Sequence, residues 1–107
     1  MELAFGTRVL RTLCESEDAA TSQLGPAVAE MLLHRLADLR AAASPHDLQV
    51  GRPRSVAPDA MAVDLAEGFQ MTFCANHRTI PTLPDGAIDW SRVRRVRVLS
   101  IAKATQV

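Results

Sequence analysis

The stretch Met61-Ala-Val-Asp-Leu-Ala-Glu-Gly-Phe-Gln-Met-Thr-Phe-Cys74 decides how this chain folds. Large apolar side chains occupy its odd-numbered positions on both sides of Ala66-Glu67-Gly68. A period of two is typical of a strand with one buried face, and a short glycine-containing segment between two such runs predicts a β-hairpin. We expect the odd-numbered side chains to pack on a core. The polar side chains left on the other face are Asp64, Gln70, Thr72 and Asn76.

The residues before this hairpin have a helical period instead. Apolar residues from about position 7 to about 23 predict one amphipathic helix, which Gly25 ends. Proline is favoured in the first turn of a helix, so Pro26 and the apolar stripe after it predict a second helix to about Ala43. Pro45 disfavours helical geometry at Ser44 and stops this helix. The two helices are therefore expected to form a hairpin.

The residues after the β-hairpin predict a loop and a last strand. Pro81-Thr-Leu-Pro-Asp-Gly86 is rich in turn-forming residues and predicts the loop. The strand runs from about Arg94 to about Ala102 and is apolar on both faces near its end, which is typical of an interior strand covered on both sides. The predicted fold class is α+β, an N-terminal helical hairpin packed on a small, mainly antiparallel β-sheet. We expect one domain over residues 1–107.

Composition supports an ordinary globular domain. The chain has 107 residues, of which 48% are hydrophobic and 22% charged. Two cysteines, Cys14 and Cys74, are too few for a disulfide scaffold and are expected to be small buried hydrophobes. The sequence has neither a basic leader nor an apolar run of membrane-spanning length, so we expect a cytoplasmic protein that does not contact a membrane.

The net charge of zero hides a strong charge separation. All twelve acidic residues lie within residues 1–89, together with seven of the twelve basic residues. No acidic residue follows Asp89, so the first part carries −5 and the tail +5. The tail charges are Arg92, Arg94, Arg95, Arg97 and Lys103. Charge of one sign along one strand favours an interaction site for an anionic partner.

Three segments of the sequence carry a family resemblance. They are Leu36-Ala-Asp-Leu-Arg-Ala-Ala42 in the second helix, Gly51-Arg52 ahead of the hairpin, and Asp85-Gly-Ala-Ile-Asp-Trp-Ser-Arg-Val93 before the last strand. In this order, and over nearly the whole chain, they resemble the HigB-like branch of the RelE/ParE toxins. The resemblance implies a bacterial type II toxin with a helical hairpin on an antiparallel sheet.

The resemblance also implies partners. A helix-turn-helix antitoxin (HigA-like) encoded beside the toxin neutralises it, and operator DNA is contacted only through that antitoxin. Most characterised relatives cut mRNA in the ribosomal A site, so mRNA and the ribosome are the expected targets. The ParE side of the superfamily instead poisons DNA gyrase.

Cleavage of RNA by its own 2′-hydroxyl needs a base, an acid for the leaving oxygen and cations around the phosphate. That route needs no metal, and we expect no cofactor. The candidate catalytic residues are His77, Arg54, Arg97 and Lys103. The candidate phosphate-binding residues are Arg52, Arg92, Arg94, Arg95 and Asn76. We expect Arg52 and Arg54 to converge with Arg95 and Arg97 on one phosphate.

The chain departs from the family at its end. Relatives commonly continue the last strand into an Asp-Tyr-His or similar triplet that takes part in cleavage, whereas this chain has Lys103-Ala104-Thr105 and no tyrosine. Arg54 stands where several relatives have histidine, and arginine stays protonated, so it cannot act as a base. Two alternatives therefore stay open. One is a non-catalytic inhibitor that binds gyrase or the ribosome, and the other is a degenerate toxin retained as an antitoxin-binding partner.

The candidate residues also have structural interpretations. The arginine cluster can be a solvated face or can pair with acidic residues of the antitoxin. Arg52 and Arg54 can anchor their loop by binding main-chain carbonyls or Asp64. His77 can be an ordinary loop residue, and Cys74-Ala-Asn-His77 supplies half a zinc site at best, so no metal is expected.

Overall fold

The computed structural model describes residues 1–103. Its helices are α1 (Arg8–Glu15), α2 (Glu17–Leu24) and α3 (Pro26–Ala41). Its strands are β1 (Glu2–Phe5), β2 (Arg54–Ala57), β3 (Ala60–Asp64), β4 (Phe69–Ala75) and β5 (Arg95–Lys103). Two short 3₁₀ turns cover Pro45–Asp47 and Trp90–Arg92. The predicted α+β class is confirmed, with helices that precede four of the five strands.

The five strands form one sheet in the order β1-β5-β4-β3-β2. The pair β1 and β5 is parallel, and the other three pairs are antiparallel. The helices cover one face of this sheet, and the buried side chains of both layers form a single core. The predicted β-hairpin is confirmed as β3 and β4, with Met61, Val63, Met71 and Phe73 buried as the alternation required.

The hairpin turn has an unusual backbone. Glu67 has φ 56° and Gly68 has φ 78°, so both central residues of the turn are left-handed. The Phe69 amide donates to the Ala66 carbonyl at 3.0 Å, and the Leu65 amide donates to the Phe69 carbonyl at 2.8 Å. Two central residues with positive φ match the right-handed twist of the flanking strands, and glycine adopts that conformation without steric cost.

The prediction of a single helix over residues 7–23 is wrong, because the chain breaks it at Ser16. The Ser16 side chain accepts the Ala19 amide at 3.2 Å and starts α2, while the Ser16 amide still donates to the Thr12 carbonyl at the end of α1. The second predicted helix is confirmed as α3, although it ends at Ala41 rather than at about Ala43. Its buried stripe consists of Val28, Ala29, Leu32, Leu36 and Leu39.

Two strands were not predicted from the sequence. The strand β1 pairs with β5, more than ninety positions later in the chain, and β2 pairs with β3. Because β1 lies outside β5, the last strand is an interior strand, as predicted. The prediction that β5 is covered on both faces is wrong. Its Val96 and Val98 are buried under the helices, but Arg95, Arg97 and Leu99 are exposed on or near the uncovered side.

The loop at residues 81–86 is confirmed, and an isolated bridge between Thr82 and Ile88 closes it. Trp90 packs against the core beyond this loop, as expected of an anchor before the last strand. Within residues 1–103, no helix combines the length and the apolar character needed to cross a bilayer.

Candidate functional site

The sheet face that the helices leave uncovered, called the open face below, carries most of the candidate residues. Strand pairing fixes which side chains share it, because residues directly opposite in neighbouring strands project to the same side. Arg54 pairs with Ala62, Ala62 with Thr72, and Cys74 with Arg97. These residues therefore line one face, together with Asp64, Gln70, Asn76 and Arg95.

Arg97 is the most available cation of the open face. Its side chain is exposed, and one of its terminal nitrogens donates to Asn76 Oδ1 at 2.9 Å. Within residues 1–103, Arg97 forms no ion pair with a carboxylate. The Asn76 amide donates to the Arg95 carbonyl at 2.8 Å, so the residue that orients Arg97 is itself fixed to β5. A neutral amide orients the guanidinium without cancelling its charge, which suits the binding of an anion.

Arg95 lies on the same face but is neutralised by a partner. Its Nε atom contacts Glu2 Oε2 at 2.8 Å, and the two side chains are 60% and 74% exposed. An ion pair this exposed is weak and is screened by salt, so Glu2 can be displaced by a phosphate at little cost. The pair also connects β1 to β5 by a side-chain contact in addition to the backbone ladder.

His77 is held by the backbone at the start of β5. Its Nε2 atom accepts the Arg94 amide at 2.8 Å and the Arg95 amide at 3.2 Å. An imidazole nitrogen that accepts hydrogen bonds carries no proton, so the ring proton sits on Nδ1. The Nε2 atom is therefore engaged in structure and is not free to take a proton from a 2′-hydroxyl. The Nδ1–H group can still donate a hydrogen bond to a phosphate oxygen.

Lys103 does not join the other candidate catalytic residues. The register of β4 and β5 shifts between Thr72 and Phe73, which is a β-bulge. Beyond the bulge Lys103 pairs with Phe69 and shares the helix-covered side with it, whereas Arg97 pairs with Cys74 on the open face. Lys103 also lies eight residues along the strand from Arg95, or about 26 Å. The structure therefore does not bring Lys103 together with Arg97, the other candidate catalytic residue of β5.

Arg52 and Arg54 bind Asp64, in agreement with the interpretation that these arginines anchor their own loop. Arg54 donates to Asp64 Oδ1 at 3.0 Å and to Gln70 Oε1 at 2.8 Å, and Arg52 binds the other carboxylate oxygen through Nε. The hydrogen bond from Arg52 holds the pKa of Asp64 below its ordinary value, with Arg54 acting in the same direction. Arg52 has φ 48°, a left-handed conformation that is uncommon for residues other than glycine.

The two arginine groups do not converge in the observed conformations. The strands β2 and β5 are separated by β3 and β4, which is about 14 Å across the sheet at the usual strand spacing. Arg54 donates to Gln70 of β4, and Gln70 pairs with Ala102 near the end of β5. Arg54 therefore points away from the end of the sheet that carries Asn76. A single phosphate between the two groups is therefore not supported, and Arg97 with Asn76 is left as a separate candidate for anion binding.

Arg92 and Arg94 precede β5 and bind their own loop. Arg92 donates to Asp89 Oδ2 at 2.9 Å and to the Thr82 carbonyl at 3.1 Å, and Arg94 donates to the Ser91 carbonyl at 2.8 Å. Hydrogen bonds from Ser91 and then Arg92 lower the pKa of Asp89. Both arginines therefore stabilise the turn that leads into β5 rather than lining the open face.

The cysteines and the metal-ligating residue types of the described chain form no candidate metal site. In the described part of the chain, no group of three or more His, Cys, Asp or Glu side chains is placed to hold a metal ion. Cys14 is buried in the core, and burial raises the pKa of its thiol to about 11, as expected of a structural cysteine. Cys74 is only partly buried. Ala104 and Thr105, part of the segment in which the resemblance leads one to expect a polar-aromatic triplet, lie outside the described residues.

The chain was compared with protein-family models, with curated proteins and with solved structures, and none of them matches it.

Proposed function

We propose that this chain is the toxin component of a bacterial type II toxin-antitoxin system, similar to the HigB-like RelE/ParE toxins, and that it acts on translated mRNA in the cytoplasm. The sequence resemblance motivates the proposal. The observation that carries the site is Arg97, an exposed arginine oriented by a neutral amide on a sheet face that the helices leave open. The inhibitor of this toxin is a helix-turn-helix antitoxin, through which it reaches operator DNA.

The chemistry proposed for this face uses few residues. Arg97 binds a non-bridging phosphate oxygen, and Arg95 joins it when Glu2 is displaced. Negative charge on the phosphate increases during attack by the 2′-hydroxyl, so a fixed guanidinium stabilises the transition state more than the ground state. The Nδ1–H group of His77 donates a hydrogen bond to the RNA in this scheme and keeps its proton. In this scheme the ribosome or the RNA itself supplies both the base that takes the 2′-hydroxyl proton and the acid that protonates the leaving 5′-oxygen.

A second candidate is a non-catalytic inhibitor that binds the ribosome or gyrase through the same face. Two observations favour it. The Nε2 atom of His77 is occupied by two backbone amides, and Lys103 projects from the other side of β5. Under this proposal the arginines bind a phosphate backbone and block access without breaking a bond.

The two candidates are separated by mapping new RNA 5′ ends across the transcriptome minutes after induction of this chain alone. The test variant is Arg95→Ala/Arg97→Ala. Its matched control is Arg8→Ala/Arg11→Ala, which removes two arginines of α1. Codon-phased cuts that persist in the control and disappear in the test variant support the nuclease. Growth arrest without new ends supports the non-catalytic inhibitor, and unchanged growth with unchanged RNA contradicts both.

Arginine variants are preferable to a His77 variant in this experiment. Replacing His77 removes the acceptor of the Arg94 and Arg95 amides, so a loss of activity would also follow from a loosened start of β5. Neither Arg95 nor Arg97 contributes a side chain to the core.

A further inference from the structure

The strand β1 forms one edge of the sheet and has backbone groups without partners. Its Glu2 amide and the following Gly6 amide donate to the β5 carbonyls of Arg94 and Val98. Alternate residues of a strand face opposite edges, so the amides and carbonyls of Leu3 and Phe5 face away from the sheet. The parallel register, with Leu3 opposite Val96 and Phe5 opposite Val98, gives the same orientation of these amides. This edge is therefore a template for one more strand.

The β1 edge is short and carries the charged Glu2, but it has neither a proline nor a bulge to block such pairing. Glu2–Phe5 contains no proline and no lysine, and its register with β5 is regular. The opposite edge of the sheet is different, because β2 follows Pro53 and has a register shift between Ser55 and Ala57. Bulges and prolines discourage the addition of a strand. The free edge of the sheet is thus β1.

A groove runs along this edge. Two adjoining cavities of about 620 Å³ and 290 Å³ share Phe5 and Arg11 as lining residues, and the larger one extends to Leu3 and Arg40. The side chains of Leu3 and Phe5 pack partly on the core, so they give the groove an apolar floor. The groove can therefore hold the side chains of an added strand as well as its backbone.

The charges around the groove select its occupant. Arg8, Arg11 and Arg40 are exposed, and Arg8 and Arg40 form no ion pair within residues 1–103. The nearby carboxylates are Glu15, 3.6 Å from Arg11, and Glu2, which is paired with Arg95. A second copy of this chain would bring the same three arginines against each other, which is unfavourable.

We propose that the β1 edge binds an extended, acidic segment of a partner protein, which adds to the sheet beside β1 as a sixth strand. Main-chain hydrogen bonds to Leu3 and Phe5 hold it, and its alternate acidic side chains contact Arg8, Arg11 and Arg40. This surface is distinct from the open face and does not depend on any action on RNA.

The test uses the whole chain and a synthetic eight-residue peptide of alternating valine and glutamate, acetylated and amidated at its ends. We expect this peptide to slow hydrogen exchange at the Leu3 and Phe5 amides and to shift their NMR signals. A valine-lysine peptide of the same length should bind at least tenfold more weakly. A valine-glutamate peptide N-methylated on the residues that pair with β1 should not bind, because it cannot complete the ladder.

A charge reversal locates the site. Arg40→Glu should weaken binding of the valine-glutamate peptide severalfold, whereas Arg78→Glu, a matched reversal in the exposed loop after β4, should not. The proposal is overturned by absence of binding at millimolar peptide, by equal binding of both peptides, or by signals that shift at β2 or the open face instead. Protection of Leu3 and Phe5 that rises with protein concentration alone would identify a second copy as the occupant and also overturn it. Because this experiment uses no RNA, its result can be interpreted even if the proposed toxin activity is not found.

Discussion

Asp64 links the two arginines that precede the β-hairpin to the hairpin itself. Its carboxylate accepts from Arg52 and Arg54, and its backbone carbonyl accepts from Arg35 Nε at 3.0 Å. The side chain is 27% exposed, so these charge-assisted bonds are partly shielded from water. Asp64 therefore connects three parts of the chain at one point, namely α3, the segment that precedes β2, and β3 itself.

Asp64→Asn should lower the free energy of unfolding by about 1 kcal/mol at pH 7, because two charge-assisted bonds become weaker neutral ones. The folded-state pKa of Asp64 lies below its ordinary value, mainly because of Arg52. A depressed carboxyl pKa contributes stability above the unfolded pKa, near 4, that is lost as pH falls through the folded value. Urea unfolding should therefore separate the two proteins at pH 7, and the difference between them should shrink as the pH falls below about 4.

The control for this comparison is Asp59→Asn, which neutralises an exposed carboxylate of the β2–β3 turn. It should leave the unfolding midpoint nearly unchanged over the same pH range. A stability loss for Asp64→Asn that stays constant down to pH 3 would show that the side chain acts through packing rather than through its charge.

Glu67 carries backbone strain that the sequence did not reveal. Its φ of 56° lies in the left-handed region, where asparagine and glycine are tolerated far better than glutamate. Glu67→Asn should raise the free energy of unfolding by about 0.5 to 1 kcal/mol, measured by urea denaturation. Glu67→Val should lower it, because β-branched residues resist positive φ. Equal stability of the two variants would contradict the turn geometry.

Predictions about single residues succeeded where a local sequence pattern indicates the contact, and they failed where the contacting residue is distant in the sequence. The alternative that Arg52 and Arg54 bind Asp64 is confirmed. The role of His77 as a backbone acceptor could not be predicted. It depends on two amides seventeen and eighteen positions later, and no residue pattern indicates them.

At the scale of elements, the break between α1 and α2 depends on Ser16. Its side chain accepts the Ala19 amide, and the acidic first turn of α2 adds favourable charge at that helix end. Ser16→Ala should cost about 1 kcal/mol of unfolding free energy. Ser22→Ala, at an exposed position inside α2, should cost nothing or stabilise slightly. Thermal denaturation of both variants checks this, and equal melting temperatures would contradict the cap.

Long, strongly periodic elements could be predicted from the sequence and short ones could not. The hairpin of β3 and β4 and the helix α3 have five or more apolar positions each, so their period is clear. The strands β1 and β2 have four residues each, and nothing local to Glu2–Phe5 indicates its distant partner β5. The bulge that moves Lys103 to the other face is set by pairing with β4, which a single strand does not encode.

At the scale of the whole molecule, the charge separation seen in the sequence is redistributed by the fold. The five cations of the tail do not act together, because Arg92 and Arg94 bind the loop and Lys103 lies on the covered side. Asp64 binds Arg52 and Arg54 and offsets one of their two positive charges, and Glu2 pairs with Arg95. The open face thus presents a smaller positive site than the sequence suggests, centred on Arg97.

The affinity of the chain for a short single-stranded RNA, measured by fluorescence anisotropy over a range of salt concentrations, tests the open face most directly. We predict that Arg97→Ala weakens binding severalfold for every RNA sequence and lowers the slope of log affinity against log salt by about 0.7, the value for one lost phosphate contact. The matched variant Arg8→Ala should bind like the unmodified chain. Equal losses for Arg97→Ala and Arg8→Ala, or no loss for Arg97→Ala, would contradict an RNA site on this face.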